Sequence, residues 1–294
     1  MPRSRATATG FIAVLLWALL ALFTVGSAPV PPLQLTAMSF AIGGTIGVFW
    51  TLASGGFHRL RGVSWKVYAF GTLGLFGYHF FYFSALRLAP PAQAGLIAYL
   101  WPLLIVLLSG LLPGETLRPG HLLGGALGFA GAALIILGGD DRLTGSALPG
   151  YALALACAFF WAGYSILSRK LGNTPTETVA VFCLATALCS AVAHVALEST
   201  VWPATALGWA SVLALGLGPV GLAFYVWDIG VKQGDIQLLG VASYAAPLLS
   251  TLALILAGLA EPTPRLLAAA ALVTGGAALA ARASIRAAGR LRSR

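Results

Sequence analysis

The chain has 294 residues, of which 59% are hydrophobic and only 9% charged, with a formal net charge of +9. A soluble domain averages about 25% charged residues, so this chain lacks the polar surface it would need in water. The basic excess does not indicate nucleic acid, because the Lys and Arg residues sit in short loops and at the C-terminus, where they orient a membrane protein.

Apolar runs of about 20 residues, each long enough to cross a bilayer core, recur from end to end. They predict ten spans, at residues 8–27, 33–53, 65–88, 90–112, 119–138, 147–168, 176–197, 207–231, 235–258 and 263–282. Segments this apolar are helical, because lipid offers the backbone no hydrogen-bond partner. The first run follows Arg3 and Arg5 as a signal peptide would, but it has no clear small-residue cleavage site and reads as a span. The third and eighth spans are the weakest, interrupted by Gly71, Gly74, Gly216 and Pro219. Gly-rich stretches in spans 5 and 10 predict close packing of those two helices, with a dimer face as a second use. Cys157, Cys183 and Cys189 fall inside apolar runs, without metal or disulfide spacing, and read as packing residues.

With the N-terminus inside, 14 of the 17 basic residues fall on the cytoplasmic side, and only Arg87, Arg142 and Arg265 on the other. That asymmetry predicts cytoplasmic N- and C-termini. Asp140 and Asp141, beside Arg142, mark an outer loop and the boundary between halves 1–141 and 142–294. The tail from Arg282 onward is basic and suited to anionic lipid.

The two halves repeat. YHFFYFSALRLAPPAQAGLIAYLWP, residues 78–102, returns as AFYVWDIGVKQGDIQLLGVASYAAP, residues 223–247. Without a gap, Tyr82 meets Trp227, Arg87 meets Lys232, Tyr99 meets Tyr244 and Pro102 meets Pro247. Trp17 has a counterpart in Trp161, and Glu115 has one in Glu261 after a one-residue slip. Five spans per half is an odd number, so the second half runs inverted. The fold class expected is an all-α integral membrane protein of two inverted five-helix repeats, an architecture of secondary transporters with a site near the midplane.

These residues resemble the drug/metabolite transporter superfamily, in its branch of two EamA-type repeats. The resemblance rests on LLWALLAL and FFWAGYSIL, on the 78–102 segment with its counterpart, and on Glu115 in GETL with Glu261 in AEPT. The aromatic third and fourth spans most resemble the YddG-type exporters of aromatic amino acids. The resemblance implies a multi-pass exporter of the inner membrane, with a central cavity lined by spans 1, 3, 4, 6, 8 and 9.

The site chemistry is defined by an absence. No Lys, Arg, Asp or Glu lies in the middle third of a span, where a charge would mark a functional site. Asp228 comes nearest, four residues before Lys232, and reads as half of a local ion pair. A substrate without net charge is therefore expected, such as a zwitterion. Its expected surroundings are Trp17, Tyr78, His79, Tyr82, Tyr99, Trp101, Trp161, Tyr164, Phe224, Trp227, Ser243 and Tyr244, which offer rings for stacking and polar ends for hydrogen bonds. Tyr78 and Tyr82 share a helix face that Gly74 extends as a gap. Pro102 and Pro247 leave the carbonyls of Ala98 and Ser243 without helical donors. Bending is expected at Gly74, Pro102, Pro219 and Pro247.

Plainer readings stand beside these. Trp50, Trp65, Trp202 and Trp209 suit an interfacial belt. His79 suits either a structural hydrogen bond or substrate contact, and Glu115 and Glu261 suit helix caps or ion pairs. A broad exporter of drugs or other metabolites fits the same spans. A membrane-embedded enzyme fits poorly, because no nucleophile, carboxylate pair or metal cluster has the required spacing. No cofactor or metal is expected. The working unit is expected to be a monomer or a homodimer.

Overall fold

The computed structural model describes residues 1–137, 145–259 and 261–292, and among them it contains α-helices but no strand. Asp140, Asp141, Arg142 and the expected boundary between halves lie outside the described residues, as do the side chains of the tail from Arg286.

In chain order the helices are α1 (Arg3–Trp17), α2 (Leu20–Gly26), α3 (Pro32–Ala53), α4 (Trp65–Leu88), α5 (Pro91–Ala98), α6 (Trp101–Ser109) and α7 (Pro119–Ile136). There follow α8 (Leu148–Lys170), α9 (Thr178–Leu197), α10 (Ala206–Leu217), α11 (Ala223–Gln233), α12 (Ile236–Ala242), α13 (Ala245–Leu256) and α14 (Pro264–Arg292). Eight helical stretches are long and apolar enough to cross a bilayer, and Gln93–Ser109 is a shorter apolar one. α4 is 24 residues long, but tyrosines, His79 and its end charges make it less apolar.

Four breaks divide otherwise continuous helical stretches. Tyr99 and Leu100 separate α5 from α6, and Ser243 and Tyr244 separate α12 from α13. Each break lies just upstream of a proline, whose ring removes a donor and crowds the preceding turn. Ala18 and Leu19 separate α1 from α2, and a π-helical turn at Gly218–Leu222, containing Pro219, joins α10 to α11. The third stretch behaves differently from expectation and is one unbroken helix. Its glycines serve packing instead: a methyl group on Gly74 would fall 2.8 Å from the Tyr164 ring. The expected gap at Gly74 is thus filled by Tyr164.

The helices pack mainly in antiparallel pairs: α1 with α11, α4 with α8, α3 with α9, and α7 with α14. Two pairs approach closely because glycine meets glycine. A methyl group on Gly10 would lie 2.8 Å from the Gly230 Cα, and one on Gly276 would meet the Gly124 carbonyl. Small residues suit such contacts in membranes, where van der Waals packing replaces the hydrophobic drive.

Carboxylates pin the bundle ends. At one end Glu198 accepts from the Leu33 and Gln34 backbone N–H groups at 3.1 and 3.2 Å, capping α3. It also pairs with Arg87 at 2.8 Å, and with His194 at 3.0 Å. At the other end Glu177 pairs with Arg59 and accepts from Ser54.

Candidate functional site

Four tryptophans from four helices meet in the core. Trp17 of α1 lies with its ring centroid 5.1 Å from Trp227 of α11, 5.5 Å from Trp161 of α8 and 6.0 Å from Trp101 of α6. Trp161 and Trp227 stack at 6.2 Å, with 27° between their planes. Phe224 closes the group at 5.7 Å from Trp161. Pairs of this kind favour edge and offset geometries and add about 0.5–1.5 kcal/mol beyond area burial. The anchors differ. Trp17 donates its indole N–H to the Pro219 carbonyl at 3.1 Å, and Trp227 donates to the Ser165 hydroxyl at 3.1 Å. The Trp161 indole nitrogen is buried without a partner.

Beside this floor stand the residues of α4 and the α5–α6 break. Tyr78 packs 5.5 Å from Trp161 and stacks on Tyr82 at 6.1 Å, with 3° between the rings. Tyr99 lies 6.2 Å from Trp101. Trp17, Tyr78, His79, Tyr82 and Tyr99 sit among core residues, yet each is only half-buried. Part of each side chain is thus left uncovered by protein. Among the described residues, the hydroxyls of Tyr78, Tyr82 and Tyr99 make no hydrogen bond to the protein. His79 is held through Nδ1 by the Leu75 carbonyl at 2.8 Å, and its ring packs edge-on to Phe40 at 5.0 Å.

Three expected site residues are placed elsewhere. Tyr244 is fully buried beside Phe129 and Gly128, and its hydroxyl accepts from the Leu103 N–H at 3.1 Å, which holds the α5–α6 break against α12–α13. Ser243 is fully buried, its hydroxyl bound to the Leu239 carbonyl at 2.8 Å. The Ser243 carbonyl already accepts from Ala246 N–H at 3.1 Å, so it is not a free acceptor. Tyr164 touches Trp161 but faces Phe70 and Phe182 between α4, α8 and α9. Trp50, Trp65, Trp202 and Trp209 are exposed, as an interfacial belt requires. Phe40 of α3, stacked on Phe224 at 5.2 Å, belongs to the cluster although nothing in its local sequence singled it out.

No net charge enters the cluster. Asp228 Oδ2 is held by Lys232 at 2.7 Å and by the Thr176 hydroxyl at 2.7 Å, which balances its charge, while Oδ1 is buried without a hydrogen-bond partner. Rings, hydroxyls and one unpartnered indole N–H suit a flat neutral or zwitterionic molecule.

The N-terminal end of the bundle is clasped by charge. Arg169, at the end of α8, donates to the carbonyls of Val231, Lys232 and Gly234 at 3.2, 2.8 and 2.9 Å, and pairs with Glu115. Glu115 also binds Arg3 at 3.0 Å, and the Asp235 N–H donates to the Thr7 hydroxyl at 2.8 Å. By sequence alone Arg169 counts only among the orienting cations. The offset that pairs Trp17 with Trp161 pairs Arg169 with Val25, an exposed apolar residue, and the counterpart of Glu115 is the exposed Glu261. The clasp therefore has no equivalent in the first half.

A core of apolar helices, with one matched pair of breaks at Tyr99 and Tyr244 and an uncharged aromatic cluster at its centre, defines a membrane carrier. The EamA-like transporter family matches the chain twice, over residues 5–137 and 148–282, and the chain belongs to that family. It is 56% identical over 284 residues to the aromatic amino acid exporter YddG of Ancylobacter novellus, covering 95% of this chain and 98% of that one. It is 27% identical to the protein of the same name from Escherichia coli K12, covering 85% and 88%. A solved crystal structure at 55% identity superposes with a TM-score of 0.90, over 95% of this chain and 98% of the other. The chain is a multi-pass membrane protein of a transporter family.

Proposed function

We propose that the protein exports aromatic and other large neutral amino acids across the inner membrane by alternating access. The observation that carries this reading is the uncharged pocket wall of Trp17, Tyr78, Tyr82, Tyr99, Trp101 and Trp161, whose tyrosine hydroxyls and Trp161 N–H are left without protein partners. An aromatic side chain stacks on the rings, while the ammonium and carboxylate take the hydroxyls and ring faces. The names of the relatives support the same substrate class.

In this reading ten spans form two inverted five-helix repeats, with α1–α2, α5–α6, α10–α11 and α12–α13 each making one broken span. The antiparallel pairing of α3 with α9 and α7 with α14 supports a two-fold axis in the membrane plane. The excess of basic residues at the clasped end, Arg3 and Arg169 among them, supports a cytoplasmic position for that end. Tyr82 lies five residues, about 7.5 Å of helix, from Arg87 at the opposite end, which supports a tyrosine-lined space that opens outward. Transport runs down the substrate gradient, because no charged relay crosses the core.

Counterflow in proteoliposomes tests this. Vesicles loaded with unlabelled Phe should accumulate labelled Trp or Phe from outside, with or without a proton gradient. Folded protein that accumulates neither amino acid would move the substrate to the broader metabolite and drug class.

A further inference from the structure

We propose that the groove between α4 and α8 holds an anionic phospholipid, with one acyl chain along Phe70, Phe159 and Gly163 and the phosphate at Lys66 and Lys170. The groove has a volume of about 600 Å³, is almost wholly apolar, and runs from Trp65 and Lys66 to Gly74 and Phe160. It lies outside the aromatic site, separated from it by Tyr164.

One glycine points to an occupant. Along this helix pair, methyl groups on Gly74 and Gly77 would strike Tyr164 and Phe160. Those glycines exist for close packing. A methyl group on Gly163 would meet nothing within 4 Å, although it faces the same helix pair. Gly163 thus widens a channel instead of closing a contact. From Lys66 to Gly74 is eight residues, about 12 Å of helix, which fits within one leaflet of a hydrocarbon core roughly 30 Å thick.

Charge identifies the headgroup. Lys66 lines the mouth, and Trp65 beside it is exposed as an interfacial anchor is. Lys66 stands in the first turn of α4, where the helix dipole disfavours a cation, so helix electrostatics do not account for it. The positive-inside rule accounts for a basic residue in this loop, but not for its place on the groove. Lys170 is exposed on α8 and continues the face of Phe159, Gly163 and Leu167 at helical spacing, towards the same end. One lysine on an apolar furrow, and a second on the continuing face of the neighbouring helix, form the pattern that anionic headgroups bind.

The test compares phosphatidylglycerol with phosphatidylcholine added to purified full-length protein in detergent, reading retained lipid by native mass spectrometry and the unfolding midpoint by heating. Wild type should retain phosphatidylglycerol at least about tenfold more tightly than phosphatidylcholine and unfold at a higher temperature with it. The Lys66→Gln/Lys170→Gln variant should lose that preference, and Gly163→Leu, which fills the furrow, should lose retention of both lipids. Counterflow by each variant separates this site from the transport site, because the proposal leaves basal transport intact. Equal retention of the two lipids by wild type, unchanged preference in the lysine variant, or unchanged retention by Gly163→Leu would overturn it.

Discussion

Trp17 and Pro219 stand 202 residues apart and are joined by a 3.1 Å hydrogen bond from the indole N–H to the proline carbonyl. The bond ties the end of α1 to the π-helical turn before α11, and in the proposed alternating-access reading it couples the two bends. Removing it alone should uncouple them. Trp17→Phe keeps a ring on Trp161 and Trp227 but loses the donor, and one net hydrogen bond is worth roughly 0.5–1.5 kcal/mol. Counterflow should slow about 2- to 10-fold with little change in substrate half-saturation. An unchanged rate would show that the bends do not depend on this bond.

Tyr99 and Tyr244 are counterparts by sequence, but they predict opposite phenotypes. Tyr99 is half-buried at the aromatic wall, whereas Tyr244 is fully buried between α12, α13 and α7. Tyr99→Ala should weaken substrate binding about tenfold, the loss of one stacking contact, in protein that unfolds at the normal temperature. Tyr244→Ala removes a large core side chain and strands the Leu103 N–H. Its stability should fall by about 3–5 kcal/mol. Thermal melts with counterflow on the same preparations separate the two; a stable Tyr244→Ala would contradict its packing role.

The hydroxyls of Tyr78 and Tyr82 are separable from their rings. The Tyr78→Phe/Tyr82→Phe double variant retains the 6.1 Å stack and loses two polar contacts. The half-saturation concentration for Phe should rise roughly 5- to 150-fold, at about 0.5–1.5 kcal/mol for each bond. Little change would place the substrate's charged end elsewhere.

Arg169 holds three carbonyls and Glu115 at the clasped end. Breaking a buried pair of this kind costs about 3–5 kcal/mol, enough to shift a two-state equilibrium strongly. Glu115→Gln keeps a hydrogen-bonding amide and should be milder than Arg169→Ala. In a Tyr99→Cys background, a membrane-impermeant maleimide should label from the unclasped side only, and Arg169→Ala should raise labelling from the clasped side about tenfold or more. Labelling from both sides without the mutation would show that the clasp is not a closure.

Much of this arrangement is legible in the linear chain. Apolar runs mark the helices, because lipid permits few other backbones. Tyr–x–x–Pro marks two breaks to within a residue, because proline disrupts the turn before it whatever surrounds it. The aromatic cluster is legible as a set but not as a geometry. These spans are apolar on every side, so no amphipathic stripe tells which face turns inward. That is why Tyr99 and Tyr244, identical by spacing, separate only in three dimensions. Phe40 was invisible for the same reason. Arg169 was hidden differently: an arginine at the end of a span satisfies the charge asymmetry, and nothing nearby shows that it also reaches the turn after α11.

The pairing of Arg169 with Val25 bears on how such a chain arises from a duplicated half. The clasp draws Arg169 from the second half and Glu115 and Arg3 from the first, so neither half carries it alone, and two copies of either half would not rebuild it. Where the repeat of Arg169 falls, the first half holds the apolar Val25. The inequality of the two halves, rather than their likeness, gives one end of the bundle a fastening of its own kind.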